Sequence, residues 1–295
     1  MSEHRSYRYR VVDVFTEVPL EGNPLAVFPD ARGLDDATMQ GIARELNLSE
    51  TTFVLPPTRT DCAVRVRIFT PAREMAFAGH PTIGTSYVLL DEGRVPAGTL
   101  AFNLEEKVGA VPIRVDAGAK PMIWLRTPPI REGKSFDRAD CARVLGLEIT
   151  DLLDAPPQLW SAGNPTVFIA LRTPEAVDRA WLDMRGSDAL ASDLSEPICV
   201  FVFAPVPEGA YSRMFAPRHG VAEDPATGSS TGPLAAYMMR HGLVASADGT
   251  RFVSEQGRKM KRRSLLHVHV FGEGGAVGID VGGHVTPVAE AELKL

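Results

Sequence analysis

Cysteine is scarce in this chain of 295 residues: Cys62, Cys141 and Cys199 lie far apart and form no CxxC pair. The spacing argues against a disulfide framework and a local zinc motif, and leaves three buried thiols as the plain reading. Long apolar runs are missing too. Nothing approaches 18 uninterrupted apolar residues, and the opening MSEHRSYRYR is charged where a secretory signal would be apolar. A cytoplasmic protein without a membrane partner is therefore expected. Positive charge is not in excess either; a formal net charge of −6 gives no general footing for nucleic acid. A small molecule or another protein chain is the expected partner. Finally, there is no P-loop and no dinucleotide fingerprint with its acidic partner, so no nucleotide cofactor is expected.

What is present reads as many short strands and a few helices. The segments 8–15 (RYRVVDVF), 63–69 (AVRVRIF), 99–104 (TLAFNL), 166–171 (TVFIAL), 198–204 (ICVFVFA) and 264–271 (SLLHVHVF) are β-like, several of them alternating apolar with polar residues. Between Leu34 and Leu48, Met39, Ile42, Ala43 and Leu46 fall at helical spacing, with Asp35 or Asp36 available as the cap. That helix should lie on a sheet surface. Two other segments, Pro81 to Leu90 and Thr231 to Met239, contain no charged residue. A helix without a polar face must be enclosed by protein, so each should run through the centre of its own domain. Pro81 and Pro233 sit near the two helix starts, where a missing N–H is harmless.

The halves resemble each other. RIFTP at 67–71 recurs as RMFAP at 213–217, GNPLAVF at 22–28 recurs as GNPTVFI at 163–169, and Ser49 with Glu50 has an echo in Ser195 with Glu196. These separations of 141 to 146 residues, in one order, point to a duplicated domain. The Pro- and Gly-rich stretch 116–137 is the candidate linker. A boundary near 126 gives domains 1–126 and 127–295, with the C-terminal end of the chain a candidate to pack back on the first.

A helix N-terminus exposes unpaired N–H groups and the positive end of the macrodipole, so it suits an anion, above all where glycine admits the ligand. Gly79, His80 and Pro81 open one charge-free helix; Thr227, Gly228, Ser229 and Ser230 open the other. Two such mouths facing one interdomain cleft would fit a carboxylate, or a substrate that becomes an enolate. Each residue also has a bland reading: Gly79 and Gly228 as tight turns, His80 as a cap, Glu50 as a surface carboxylate, Asp224 as the start of a turn with Pro225. If the two carboxylates share a dry cleft, burial and repulsion raise at least one pKa toward neutrality, as general acid–base chemistry requires.

The stretches DVFTEVPLEGNPLAVF, MQGIARELNLSETTFV, RIFTPAREMAFAGHPTIGT and SRMFAPRHGVAEDPATGSSTGPLA, and the later QG with its basic run, resemble the PhzF family of phenazine biosynthesis, over nearly the whole span to residue 264. The resemblance implies an α+β, diaminopimelate epimerase-like fold: two pseudo-symmetric domains, each a β-barrel-like sheet around a buried helix, usually in a homodimer. It implies a cofactor-independent isomerase that moves a proton on a small carboxylic acid such as trans-2,3-dihydro-3-hydroxyanthranilate. Glu50 is then the general acid/base, His80 and Asp224 assist, and Ser49, Gly79, Gly228 and Ser229 hold substrate. No metal, nucleotide or flavin is implied.

The basic run Arg258–Arg263 departs from the family pattern, with Lys261 and Arg263 in place of small residues. It reads as a solvated turn or as a gate for an anionic substrate. His267 and His269 share a strand face, but with no third ligand an alternating strand is the better reading than a metal site. Two rivals differ in kind. An amino-acid racemase of the same fold needs two cysteines at the helix mouths, where this chain has Ala78 and Ala226 or Thr227. A non-catalytic anion-binding dimer would have no need of Glu50, His80 and Asp224, all of which are present.

Overall fold

The computed structural model describes residues 5–273 and 276–295. The chain divides into two compact units: one runs to Arg126 and includes Gly282–Leu295, and the other is Thr127–Val281.

In the first unit the elements are β1 (Ser6–Val14), β2 (Asn23–Phe28), α1 (Asp36–Leu46), β3 (Glu50–Leu55), β4 (Val64–Phe69), β5 (Glu74–Met75), α2 (Gly79–Asp91), β6 (Ala101–Glu106), β7 (Gly109–Asp116) and β8 (Met122–Arg126). β1 pairs antiparallel with β2, β2 parallel with β3, and β3 antiparallel with β4. β4 then holds β5 antiparallel and β6 parallel, and β6, β7 and β8 follow as an antiparallel meander.

A parallel pair needs a crossover, and α1 supplies it between β2 and β3. Asp35 caps α1 by accepting the Thr38 N–H at 2.8 Å, and Asn47 ends it in the left-handed region at φ 50°. Its buried Met39, Ile42 and Ala43 lie on Phe28, Phe53 and Phe69. α2 has no polar face and is enclosed: it packs on β1, β2, β3 and β8. The approach is close enough to need glycine. A Cβ on Gly84 would stand 2.6 Å from a Leu25 methyl and 2.8 Å from a Val14 methyl.

The second unit contains β9 (Arg131–Ser135), α3 (Arg138–Val144), β10 (Gln158–Ser161), β11 (Thr166–Ala170), α4 (Pro174–Arg179), α5 (Met184–Leu190), β12 (Cys199–Val206), β13 (Gly209–Ala216), β14 (Val221–Asp224), α6 (Gly228–Arg240), β15 (Arg251–Gln256), β16 (Ser264–Glu273) and β17 (Ala276–Gly283). Its pairing repeats that of the first. β11 and β12 are parallel, β12 and β13 antiparallel, β13 holds β14 antiparallel and β15 parallel, and β15 and β16 are antiparallel. The chain closes with β18 (Val285–Lys294), antiparallel to β1.

The repetition extends to side chains. Arg67 on β4 binds Glu74 at 2.6 Å and lies over the Phe69 ring; Arg213 on β13 binds Glu223 at 2.8 Å and lies over Phe215. α6 packs on β10, β11 and β16, and Gly232 gives it room, since a Cβ there would meet Thr127 at 2.3 Å.

Two expectations are corrected. The 116–137 stretch is not a plain linker: its buried Ile123, Trp124 and Leu125 form β8, and β9 follows after Pro128 and Pro129. The echo of Ser49 and Glu50 in Ser195 and Glu196 fails on register. Glu50 pairs with Leu25, two residues past Asn23, and the residue paired two past Asn164 is Cys199. Ser195 and Glu196 lie exposed in the loop before it. Gly282–Leu295 groups with the first unit.

Candidate active site

The mouth of α2 is built by three elements. The N-cap is Ala78, in extended conformation, and no side chain caps the first turn. Its orphan N–H groups are therefore left for another partner. Gly79 and His80 are the first two helical residues and Pro81 the third, so one N–H is already removed. The parallel register of β2 with β3 sets Glu50, the first residue of β3, beside the start of β2. There Glu50 Oε2 lies 3.3 Å from His80 Nδ1, and Asn23 Nδ2 lies 3.3 Å from the same nitrogen.

The His80 side chain is 3% exposed and that of Glu50 17%. Burial pushes the imidazole down to about 3, with a hydrogen bond to the Pro24 backbone opposing it, so His80 is neutral at ordinary pH. A neutral ring has one proton for two nitrogens. With the proton on Nδ1 the ring faces Glu50 Oε2, and with Nδ1 bare it accepts from Asn23. Among the described residues Nε2 is buried without a hydrogen-bond partner.

The mouth of α6 has the same plan with other residues. Its N-cap is Thr227, again without a side-chain cap on the helix. The Thr227 hydroxyl donates to Asp224 Oδ2 instead. Gln256, at the end of β15, holds the turn by accepting the Thr227 N–H at 3.1 Å and donating to the Asp224 carbonyl at 2.6 Å and to Thr227 Oγ1 at 3.2 Å. Asn164 Nδ2 donates to Ser229 Oγ at 3.1 Å, the counterpart of Asn23 at His80. Gly228 and Ser229 are buried, and Asp224 is half-buried.

Glu50, His80 and Gly79 thus form one cluster, with half-buried Ser49 next in the chain; Asp224, Gly228 and Ser229 form a second in the other unit. The residues not singled out from sequence are Asn23, Asn164, Glu106 and Gln256. The signal for the two asparagines was the repeated GNP, which marked duplication but also places an amide at each helix mouth. In the basic run, Arg258 and Arg263 bind Glu255 at 2.6 and 3.2 Å, and Lys261 takes the left-handed conformation at φ 57°. Among the described residues no group of three His, Cys, Asp or Glu could hold a metal ion, and His267 and His269 lie two residues apart on β16. Cys62, Cys141 and Cys199 are all buried, and burial pushes the Cys141 thiol up to about 12. No helix of the described residues is long and apolar enough to cross a membrane.

The fold defines the class first: an α+β, diaminopimelate epimerase-like protein with two repeated units, each closed on one buried helix. Residues 12–291 match the family model for phenazine biosynthesis-like proteins. Similar proteins include the trans-2,3-dihydro-3-hydroxyanthranilate isomerase of Pseudomonas aeruginosa, 36% identical over 98% of this chain and 100% of that protein. The protein of the same name from Pseudomonas fluorescens is 37% identical over 88% of this chain and 89% of its own length. A solved phenazine biosynthesis protein of the PhzF family from Bacillus anthracis superposes with a TM-score of 0.87 at 26% identity, covering 98% of this chain and 99% of that one. The chain belongs to the PhzF family of phenazine biosynthesis-like proteins. It is an isomerase.

Proposed function

We propose that the protein is a cofactor-independent isomerase that moves a proton on a small cyclic carboxylic acid of the dihydro-hydroxyanthranilate type, with Glu50 as general acid and base. The observation that carries this reading is the 3.3 Å contact between Glu50 and a neutral, buried His80 at the uncapped mouth of a buried helix. A carboxylate placed there takes a proton from one carbon and returns it at another. His80 supports either state of Glu50, donating from Nδ1 to the carboxylate or turning Nδ1 to Asn23 when Glu50 carries the proton. The orphan N–H groups of Gly79 and His80 suit the substrate carboxylate, or the enolate oxygen that develops as the proton leaves.

Asp224, Gly228, Ser229 and Ser49 enter this reading through the family resemblance, as assisting acid and substrate contacts. The cytoplasm as location and a homodimer as assembly belong to the same reading. A two-thiol racemase is disfavoured because Ala78 and Thr227 stand at the two N-caps.

The test is solvent deuterium incorporation into trans-2,3-dihydro-3-hydroxyanthranilate, followed by NMR for the wild type and Glu50→Gln. Incorporation by the wild type alone supports the proposal. Equal incorporation by both proteins overturns the role of Glu50, and none by either overturns the substrate class.

A further inference from the structure

Glu105 and Glu106 end β6 side by side, and the strand pleat sends them to opposite faces. Glu105 accepts from the Thr58 and Arg59 N–H groups at 2.6 and 3.0 Å. Glu106 turns inward to the first turn of α2, is 4% exposed, and among the described residues meets a single partner, Thr82 Oγ1, at 2.5 Å. Its Oε2 is buried with no hydrogen-bond partner.

The Thr82 hydroxyl decides the protonation of this acid. Its oxygen lies 2.7 Å from the Ala78 carbonyl oxygen as well as 2.5 Å from Glu106 Oε1, and it has one proton to give. A carbonyl only accepts. If Glu106 were a carboxylate, two acceptors would compete for that one hydrogen; if Glu106 carries its own proton, Glu106 donates to Thr82 and Thr82 donates to Ala78. Burial acts in the same direction, pushing the carboxyl up to about 8 against the opposing hydrogen bond from Thr82.

The second unit makes the same point by substitution. The parallel pairs Arg65 with Glu105 and Tyr211 with Glu255 make Gln256 the counterpart of Glu106. Thr231 Oγ1 donates to the Thr227 carbonyl as Thr82 does to that of Ala78. Where the second unit has a permanently neutral amide under its helix mouth, the first has a group that titrates.

We propose that Glu106 is a positioning residue, held as the neutral acid beneath the first turn of α2, whose loss of a proton weakens binding of the anionic substrate at Gly79 and His80. This rests on the reading of that mouth as the substrate site. A negative charge one helical turn away offsets the positive helix end and repels a bound carboxylate. The surrounding charges are otherwise engaged. On β5, Glu74 binds Arg67 of β4; Lys107, next in the chain, faces Glu74 at 3.9 Å; Arg65 of β4 is exposed; Glu50 of β3 faces His80 of α2.

The experiment has two arms. First, the carboxyl 13C signal of Glu106, assigned by its disappearance in Glu106→Gln, is titrated in the wild type. A midpoint well above the ordinary range of a glutamate supports the proposal, and an ionised Glu106 at pH 7 overturns it. Second, kcat and KM for trans-2,3-dihydro-3-hydroxyanthranilate are measured from pH 6.5 to 9.5. KM should rise about tenfold across the Glu106 titration in the wild type and stay flat in Glu106→Gln, with kcat following one profile in both. A parallel rise of KM in both proteins overturns the coupling. Absence of turnover counts against the proposed substrate, and the carboxyl titration still decides the state of Glu106.

Discussion

The two helix mouths are one design carried out twice with different side chains. At α2 an asparagine of β2 meets a histidine, β3 begins with a glutamate, and the strand end behind carries a second glutamate. At α6 the corresponding residues are Asn164, Ser229, Cys199 and Gln256, while Met75 of the first unit gives way to Asp224 in the second. The backbone frame, the buried helix, its glycine and the arginine clamp are common to both. The titratable side chains differ in kind and in place, so the two units share a scaffold but not the groups set on it.

The sharpest way to break the comparison is to remove the asymmetric groups. Glu50→Gln should lower deuterium incorporation by on the order of a hundred- to ten-thousand-fold with unchanged circular dichroism, the span of a positioned acid–base group. His80→Ser installs the residue of the second unit and should cost about ten- to a thousandfold in kcat. Asp224→Asn should cost at least about tenfold in kcat/KM, because the reading assigns it an assisting role. An unchanged rate would leave Asp224 as the turn residue that its bond to Thr227 already makes it.

Smaller effects test the common frame. Gly84→Ala and Gly232→Ala force a methyl into atoms less than 3 Å away, and each should destabilise by about 1–3 kcal/mol in urea unfolding. A unit that tolerates its alanine has a helix less tightly enclosed than the other.

The pH dependence of stability separates the two buried titrating groups by sign. Glu106 has a raised pKa, so its contribution is complete below the ordinary value of 4.5 and is lost as pH rises toward about 8, at up to about 1.4 kcal/mol per pH unit. Glu106→Gln should flatten that slope and gain most over the wild type near pH 8. His80 has a lowered pKa, so its contribution is present above 6.5 and is lost as pH falls toward about 3. His80→Ser should flatten the acid limb and leave the alkaline one alone.

Much of this was legible in the amino-acid order. The absence of charge from Pro81 to Leu90 and from Thr231 to Met239 announced two enclosed helices, and Met39, Ile42 and Ala43 announced a surface one. His80 stood out in the sequence because histidine has little structural reason to open a buried helix, and the structure sets Glu50 beside it. The failures have a physical cause in pairing. Strand register is a long-range property, so Cys199 as the counterpart of Glu50 could be found only from the ladder, and the Ser–Glu echo misled. Glu106 was invisible for a similar reason: in EEK it reads as one more surface acid, and only the pleat of β6 turns it inward.

The pairing of β18 with β1 has a consequence for how the chain comes into being. Arg5 and Leu295 exchange backbone hydrogen bonds, so the first unit is made from two segments distant in sequence, and the second lies between them as a continuous insert. During synthesis the inserted half is complete while the outer half still waits for its last strand. The sheet of the first unit is thus completed only by a strand that follows the whole of the second unit in the chain.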